Sequence, residues 1–165
     1  MDAKVTRLFV PMETAYGANK VYLHPGHLHV TQTAVDITTV VGSCVSVCLW
    51  DRASKLAAMN HFVLPNTMGD APSLKHGEYA TDALVERLVK LGAHLVNLRA
   101  RVFGGSCVID AFRNAGSDLG SKNVTVARRV LGRHRIPILQ EDVGGSVGRK
   151  LVFHTDDASV LVKLL

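Results

Sequence analysis

Cys44 occupies a position that suits a nucleophile. It follows Gly42 and Ser43 at a break between two apolar, β-branched runs, residues 37–41 and 45–50. Backbone amides at such a break are free to turn toward a bound oxygen, and a thiol there can reach solvent. A free thiol has a pKa of about 8.5 and is mostly protonated at neutral pH, whereas the thiolate is the reactive form. As a nucleophile, Cys44 would therefore need a neighbouring base or positive charge.

His61 is the candidate base, and it lies 17 residues after Cys44 in the apolar run 56–64. The connection between the two runs, residues 51–55, is short, so we expect them to pair as a hairpin that brings the ring toward Cys44. Imidazole exchanges a proton near neutral pH and can both activate a thiol and protonate a leaving group. A lone strand histidine can also be purely structural, and the residues alone leave both interpretations open.

The other two cysteines favour simpler roles. Cys48 lies among Val45, Val47 and Leu49, which predicts a buried side chain in a strand. Cys107 ends the segment 104–107, where it could be exposed, and a structural role is again the simpler expectation. Three cysteines are too few, and odd in number, for a disulfide framework, so we expect free thiols in a reducing compartment.

Two further site types are weakly supported. A metal site would use His24, His27 and His29, but no cysteine or carboxylate ligand pattern accompanies them, so we expect ordinary strand histidines and no cofactor. The net charge of +5 permits nucleic-acid binding, but aromatic residues make up 5% of the chain and no stacking or Walker motif is present. We therefore expect no nucleic-acid partner. The basic residues that such a site would use are Arg128, Arg129, Arg133, Arg135, Arg149 and Lys150.

The elements that must position Cys44 and His61 are mostly strands. Short runs at 22–32, 37–41, 45–50, 56–64, 98–103, 136–140, 150–154 and 160–164 are apolar, alternating or β-branched. Helical spacing recurs from Ala80 to Leu91, and again from Val124 to Leu131 with Asn123 near the start. This pattern predicts an α+β domain with a mainly antiparallel or mixed β-sheet system and two main helices.

Length and composition predict a single domain. The chain has 165 residues, 47% of them hydrophobic, which is enough for one core. Residues 1–20 lack a sustained period and are predicted to be a peripheral arm, with the domain at 21–165. No apolar stretch is long enough for a membrane span and no secretory signal is evident, so we expect a cytoplasmic protein without membrane insertion.

Several ordered motifs resemble the chemoreceptor glutamine deamidase family, CheD. The segment 38–48 reads TTVVGSCVSVC and the segment 59–65 reads MNHFVLP. The resemblance extends in the same order from residue 21 to the C-terminus, and the spaced motifs together are far more specific than any one of them. The further matching segments are 75–80, 100–105, Asn123 and 141–145.

The resemblance implies a Cys-His-Thr triad. Cys44 takes the nucleophile position, His61 the base position and Thr38, six residues before Cys44, the position that orients the imidazole. Thr39 adjoins Thr38, and a shift of strand register by one residue would transfer the orienting role to it. Because they border the expected site, we predict substrate-binding roles for Gly42, Ser43, Gly104, Gly105 and Ser106.

The implied activity is that of a protein-glutamine glutaminase, an amidohydrolase. It would convert glutamine side chains of a chemotaxis receptor to glutamate through a thioester, with release of ammonia. The implied partner is the receptor's cytoplasmic helical bundle. Some members of the family also dock a chemotaxis phosphatase, so the resemblance leaves a second function open: a regulatory binding module with little or no catalysis.

Overall fold

The computed structural model describes residues 5–7, 19–107 and 118–165 of the chain. These residues form ten strands and two α-helices. Six strands come first, and the first helix, the seventh strand, the second helix and the last three strands follow. The strands are β1 (Val5–Arg7), β2 (Asn19–Tyr22), β3 (His27–Thr31), β4 (Val35–Val41), β5 (Val45–Asp51), β6 (Ala57–His61), β7 (Leu98–Gly104), β8 (Ile138–Val143), β9 (Arg149–His154) and β10 (Ser159–Leu164). The helices are α1 (Gly77–Lys90) and α2 (Leu119–Arg133).

The strands of the described residues pair into two five-stranded sheets. The first, sheet A, has the order β1-β10-β9-β4-β2, and the second, sheet B, has the order β3-β6-β5-β7-β8. β2 pairs with β4 and β7 pairs with β8 in parallel, while the other neighbours are antiparallel. The predicted α+β class with a mainly antiparallel sheet system is confirmed.

Two apolar cores give the molecule three layers. One core joins residues of sheet A such as Ile37 and Phe153 to residues of sheet B such as Met59 and Phe103, so the two sheets pack face to face. The other core lies between the opposite face of sheet B and the two helices. Sheet B is therefore buried on both faces, which explains why every residue of β6 is buried.

The second helix begins earlier than the sequence pattern predicted. The Asp118 carboxylate accepts a hydrogen bond from the Ser121 backbone N–H at 2.6 Å and caps the first turn. Gly120 and Ser121 are poor helix formers, so the first turn does not show in the apolar periodicity. As a result Asn123 lies in the second turn, fully buried against sheet B, instead of at the helix start.

The predicted N-terminal arm includes a described strand. Val5–Arg7 pairs with β10 and forms one edge of sheet A. The rest of the arm before Asn19 lies outside the described residues, so the division at residue 20 stays a prediction. Neither described helix has the length and apolarity that crossing a membrane requires.

Candidate active site

The turn that carries Cys44 joins β4 of sheet A to β5 of sheet B. Three consecutive carbonyls of this turn each accept a hydrogen bond from another part of the fold. The Gly42 carbonyl accepts from Ser106 N–H at 2.8 Å, and the Cys44 carbonyl accepts from Gly105 N–H at 2.8 Å. Between them, the Ser43 carbonyl accepts from the Asn123 side-chain amide at 2.9 Å.

This arrangement fixes the peptide planes of the turn. The carbonyls point inward to their donors, and in the described part of the chain the Ser43 and Cys44 amides donate to no other residue. The Cys44 side chain is half-buried and packs at the margin of the core between the sheets. A rigid turn with unused amides beside a thiol is the geometry that an oxyanion site needs.

Two glycines make room for the turn. Gly104 has φ +110°, and a Cβ at this position would collide with the Cys44 carbonyl oxygen. Gly105 has φ +66°, and a Cβ there would collide with Val124 of α2. Both positive φ values favour glycine. Gly104 therefore allows β7 to approach the Cys44 turn closely, and Gly105 allows α2 to pack closely on the segment after β7.

His61 ends β6 and faces the core between the sheets, with 2% of its surface exposed. Its Nδ1 lies 2.8 Å from the hydroxyl of Thr39, which itself donates to the Leu23 carbonyl at 2.7 Å. Since the single hydroxyl proton is used toward Leu23, the Thr39 oxygen accepts from the imidazole and Nδ1 carries the proton. Nε2 then has a free lone pair, and it is buried without a hydrogen-bond partner among the described residues.

The threonine that contacts His61 is therefore Thr39, which corrects the expected contact from Thr38. Val35, Ile37, Thr39 and Val41 form the buried face of β4. Adjacent strand residues point to opposite faces, so Thr38 projects to the outer face of sheet A. Thr39 comes from sheet A and His61 from sheet B, so the pair forms across the interface between the sheets.

Strand pairing brings Cys44 and His61 to the same face of sheet B. Val45 pairs with Phe62 through reciprocal hydrogen bonds of 3.1 and 3.0 Å. Cys44 and His61 precede these two residues and are diagonal neighbours, a relation in which long side chains can meet. The free Nε2 shows that the thiol–imidazole hydrogen bond is not formed in this resting structure.

The pair is electrically neutral at rest. Burial lowers the pKa of His61 to about 4, so the imidazole is uncharged at neutral pH. Burial also raises the pKa of the Cys44 thiol, an effect that the backbone N–H of the same residue partly opposes. A preformed thiolate–imidazolium pair is thus disfavoured in the resting structure.

The β5–β6 ladder is interrupted beside His61. The Val47 N–H donates to the side-chain oxygen of Asn60 at 2.9 Å, and the Ser46 hydroxyl donates to the Asn60 carbonyl. Side chains thus replace backbone pairing one residue before His61. The sequence analysis did not single out Ser46 or Asn60, because their effect depends on strand register.

Comparison with known proteins supplies the family. Residues 63–164 match the family model described as "CheD chemotactic sensory transduction". The chain is 47% identical to the Anaeromyxobacter dehalogenans protein named "Probable chemoreceptor glutamine deamidase CheD 1", over 90% of this chain and 86% of that protein. The chain belongs to the CheD family.

Other CheD relatives agree at lower identity. The Rhodospirillum rubrum protein named "Probable chemoreceptor glutamine deamidase CheD" is 42% identical over 88% of this chain and 82% of its own length. The solved structure of Neisseria meningitidis protein NMB0706 aligns with 89% of this chain and 75% of that chain at a TM-score of 0.48 and 14% identity.

The remaining predicted residues of this CheD chain lie around the turn. Gly42 and Ser43 belong to it and are half-buried, whereas Gly104, Gly105 and Ser106 lie behind it and are buried. Gly105 and Ser106 donate backbone hydrogen bonds to the turn, and the Gly104 carbonyl accepts from the Gly144 N–H at 2.9 Å. Their substrate-binding role stays a prediction, and so does that of Gly42 and Ser43.

Cys48 lies in the core, as predicted. It is fully buried between the sheets, and burial raises its pKa far above the usual range of a thiol. Cys107 is half-buried, and its backbone N–H donates to the Gly145 carbonyl at 2.9 Å. Burial thus separates Cys48 from Cys44 as a candidate nucleophile.

Four of the basic residues considered for nucleic-acid binding are engaged by carboxylates. Arg128 pairs with Glu141 at 2.8 Å, and Arg149 pairs with Asp142 at 2.8 Å. Arg129 and Arg133 of α2 pair with acidic residues of α1, namely Glu78 and, for Arg133, also Asp82. These ion pairs favour a structural role, because they join α2 to α1, α2 to β8, and β9 to β8.

In residues 19–107 and 118–165, no cluster of three or more His, Cys, Asp or Glu is arranged to hold a metal ion.

A cleft of about 460 Å³ lies beside Gly105, between α2 and the end of β8. Its lining includes Ser121, Val124 and Gly144, but neither Cys44 nor His61. The Cys44 thiol therefore does not line this cleft.

Proposed function

We propose that this CheD chain deamidates glutamine side chains of a chemotaxis receptor, with Cys44 as nucleophile, His61 as acid and base, and Thr39 as the residue that orients His61. The observation that carries the proposal is the His61 ring, held at Nδ1 by Thr39 with Nε2 free on the face of sheet B that also bears Cys44. The names of the CheD relatives supply the substrate class.

The first half-reaction would release ammonia. The Cys44 sulfur attacks the carboxamide carbon of the glutamine while Nε2 of His61 takes the thiol proton. The oxygen of the resulting tetrahedral adduct carries negative charge, and the Ser43 and Cys44 amides are the nearest unused donors of the turn. His61 then passes the proton to the departing nitrogen, the C–N bond breaks, and a thioester remains.

The second half-reaction would restore the thiol. His61, neutral again, takes a proton from water as that water attacks the thioester carbon. Collapse of this adduct breaks the C–S bond, returns the proton to sulfur and leaves glutamate. The balance is one water consumed and one ammonia released for each glutamine.

A neutral resting pair suits this substrate. An amide is a poor electrophile, and a thiolate permanently paired with imidazolium would react with other electrophiles of the cell. When the thiol is deprotonated only during attack, the proton is delivered where it is needed next, at the leaving nitrogen. The low pKa of His61 also makes the imidazolium a strong acid toward that nitrogen.

The test is mass spectrometry of receptor fragments incubated with the protein. Conversion of a glutamine to glutamate adds about one dalton, because NH₂ is replaced by OH. We expect this gain with the native chain and its loss with Cys44→Ala. Cys48→Ala is the matched control, and it should retain turnover wherever it remains folded.

The same experiment separates enzyme from binding module. Receptor fragments that bind the native chain but gain no mass would support a regulatory module, the alternative that the relatives' names do not favour.

We further propose the cytoplasm as the site of action and a chemotaxis phosphatase as a second partner. The support for both is the family resemblance of the sequence. Binding of such a phosphatase by Cys44→Ala would establish docking independently of catalysis.

A further inference from the structure

Asn123 connects the two halves of the candidate active site. Its side-chain nitrogen donates to the Ser43 carbonyl at 2.9 Å and to the Val63 carbonyl at 3.0 Å. Ser43 directly precedes Cys44, and Val63 lies two residues after His61. One amide group thus holds the nucleophile turn and the strand of the base at a fixed separation.

The environment of Asn123 argues for more than helix packing. The residue is fully buried in α2 on the side that faces sheet B. Its side-chain oxygen is also buried and has no partner among the described residues, an arrangement that costs stability. An apolar side chain would fill a helix–sheet interface without that cost, so packing alone does not account for an amide here.

The Ser43 carbonyl receives its hydrogen bond from the Asn123 side chain. In the Cys44 turn, Gly42 and Cys44 are held by backbone donors of the segment that follows β7, whereas Ser43 depends on the Asn123 side chain. The Ser43 carbonyl belongs to the same peptide group as the Cys44 N–H. Its direction therefore sets the direction of that amide.

We propose that Asn123 is a positioning residue for deamidation, which locks the Ser43–Cys44 peptide against the strand of His61 and so aligns thiol, amide donor and imidazole. This inference rests on the proposed function. Asn123 touches neither reacting atom and acts through Ser43 and Val63.

The test uses the full chain with Asn123→Ala and Asn123→Asp. Alanine removes both donated hydrogen bonds and keeps a good helix former, and ionised aspartate keeps the shape but has no proton to donate. Thr81→Val is the matched control, because it replaces a buried polar group of α1 that has no hydrogen-bond partner among the described residues. Thermal unfolding establishes which variants are folded.

The first readout is alkylation of Cys44 by iodoacetamide from pH 7 to 11, a range that extends above the ordinary thiol pKa because burial raises that of Cys44, followed on the Cys44 peptide by mass spectrometry. The Cys44 N–H lowers the thiol pKa in the native arrangement. Release of the peptide should therefore move the midpoint of alkylation to higher pH by about half a unit or more in both Asn123 variants. The Thr81→Val midpoint should equal that of the native chain.

The second readout is deamidation kinetics. Misalignment of groups already bound should lower kcat by about 10- to 100-fold and leave KM within about threefold. Native alkylation midpoints in the folded variants, or a loss confined to KM, would overturn the inference. Failure of both variants to fold would overturn it as well, because Asn123 would then be a structural residue.

The two readouts also separate this inference from the proposed function. If the native chain deamidates no receptor fragment but the alkylation midpoint still shifts in the Asn123 variants, the proposed substrate is wrong while Asn123 still positions the thiol. If deamidation is observed and the midpoint does not shift, the substrate stands and the positioning role is rejected.

Discussion

The hydroxyl of Thr39 decides which nitrogen of His61 carries a proton. By donating to Leu23 it can only accept from the imidazole, so Nδ1 is protonated and Nε2 is the basic nitrogen. A neutral hydroxyl sets the tautomer without stabilising an imidazolium, unlike the carboxylate of a serine protease triad. This agrees with the low pKa of His61.

Thr39→Val should therefore damage catalysis more than Thr38→Val. Valine keeps the shape of threonine but leaves the Nδ1 proton of His61 buried and unpaired, a cost of about 1–3 kcal/mol. We expect kcat of Thr39→Val to fall about 10- to 100-fold, since 1.4 kcal/mol corresponds to a factor of ten. The measurement is steady-state deamidation of a receptor fragment.

Thr38→Val is the internal control, and it should stay within about threefold of the native kcat because its side chain lies on the outer face of sheet A. The opposite ranking of the two variants would return the orienting role to Thr38. Equal, native-like activity of both would remove threonine from the mechanism.

The set of β4 side chains that face the core could have been predicted from the sequence of the strand. Val35, Ile37 and Val41 are apolar at odd positions and Asp36 is charged at an even one, so alternation already directs Thr39 inward. The resemblance to the family instead pointed to Thr38. The placement of Cys44 and His61 on one face of sheet B could be predicted for a related reason, since a short hairpin connection brings the two strands together.

Contacts between elements that are distant in the sequence could not be predicted in the same way. Asn123 meets Ser43 across 80 positions of sequence, and no periodicity in α2 marks that contact. The strand order of the two sheets and the clash that excludes a Cβ at Gly104 likewise depend on tertiary packing. Local patterns predict elements and faces, whereas docking of elements determines the site.

At the scale of elements, substitution of Gly104 tests how β7 supports the Cys44 turn. Gly104→Ala forces a positive φ on alanine and drives its Cβ into the Cys44 carbonyl. We expect the free energy of unfolding to fall by about 2 kcal/mol or more, together with a loss of deamidation. Denaturant unfolding and the mass-shift assay measure the two effects.

Gly132→Ala is the matched control for that substitution. Gly132 is an exposed residue of α2 with open space around its Cβ position. Alanine there should raise the free energy of unfolding by up to about 1 kcal/mol, because it is the better helix former. If Gly104→Ala behaved like Gly132→Ala, β7 would not constrain the turn.

At the scale of the whole molecule, the buried neutral His61 links stability to pH. In the unfolded chain a histidine binds its proton as the pH falls through about 6.5, whereas folded His61 does so only near pH 4. The unfolded state thus binds more protons over this interval. The contribution of neutral His61 to the free energy of unfolding is therefore fully present above pH 6.5 and is lost as the pH falls toward 4. The total is up to about 3 kcal/mol.

Comparison with His61→Gln isolates this contribution. We expect the free energies of unfolding of the native chain and the variant to converge between pH 6.5 and 4 when the native chain is the more stable one at neutral pH. Denaturant titrations at several pH values provide the curves. Parallel curves over the whole interval would show that His61 is as readily protonated in the folded chain as in the unfolded one.

In the proposed site the orienting hydroxyl comes from sheet A, the imidazole from sheet B and the thiol from the turn between them, and this has a consequence for refolding. A chain that has formed sheet B and its helices but not yet docked sheet A holds Cys44 and His61 without Thr39. Trp50, the single tryptophan, packs at the margin of the same interface with the Arg101 guanidinium 5.0 Å from its ring centre. Its fluorescence and the enzymatic activity should therefore recover with the same time course after dilution from denaturant, both later than the helical circular dichroism signal.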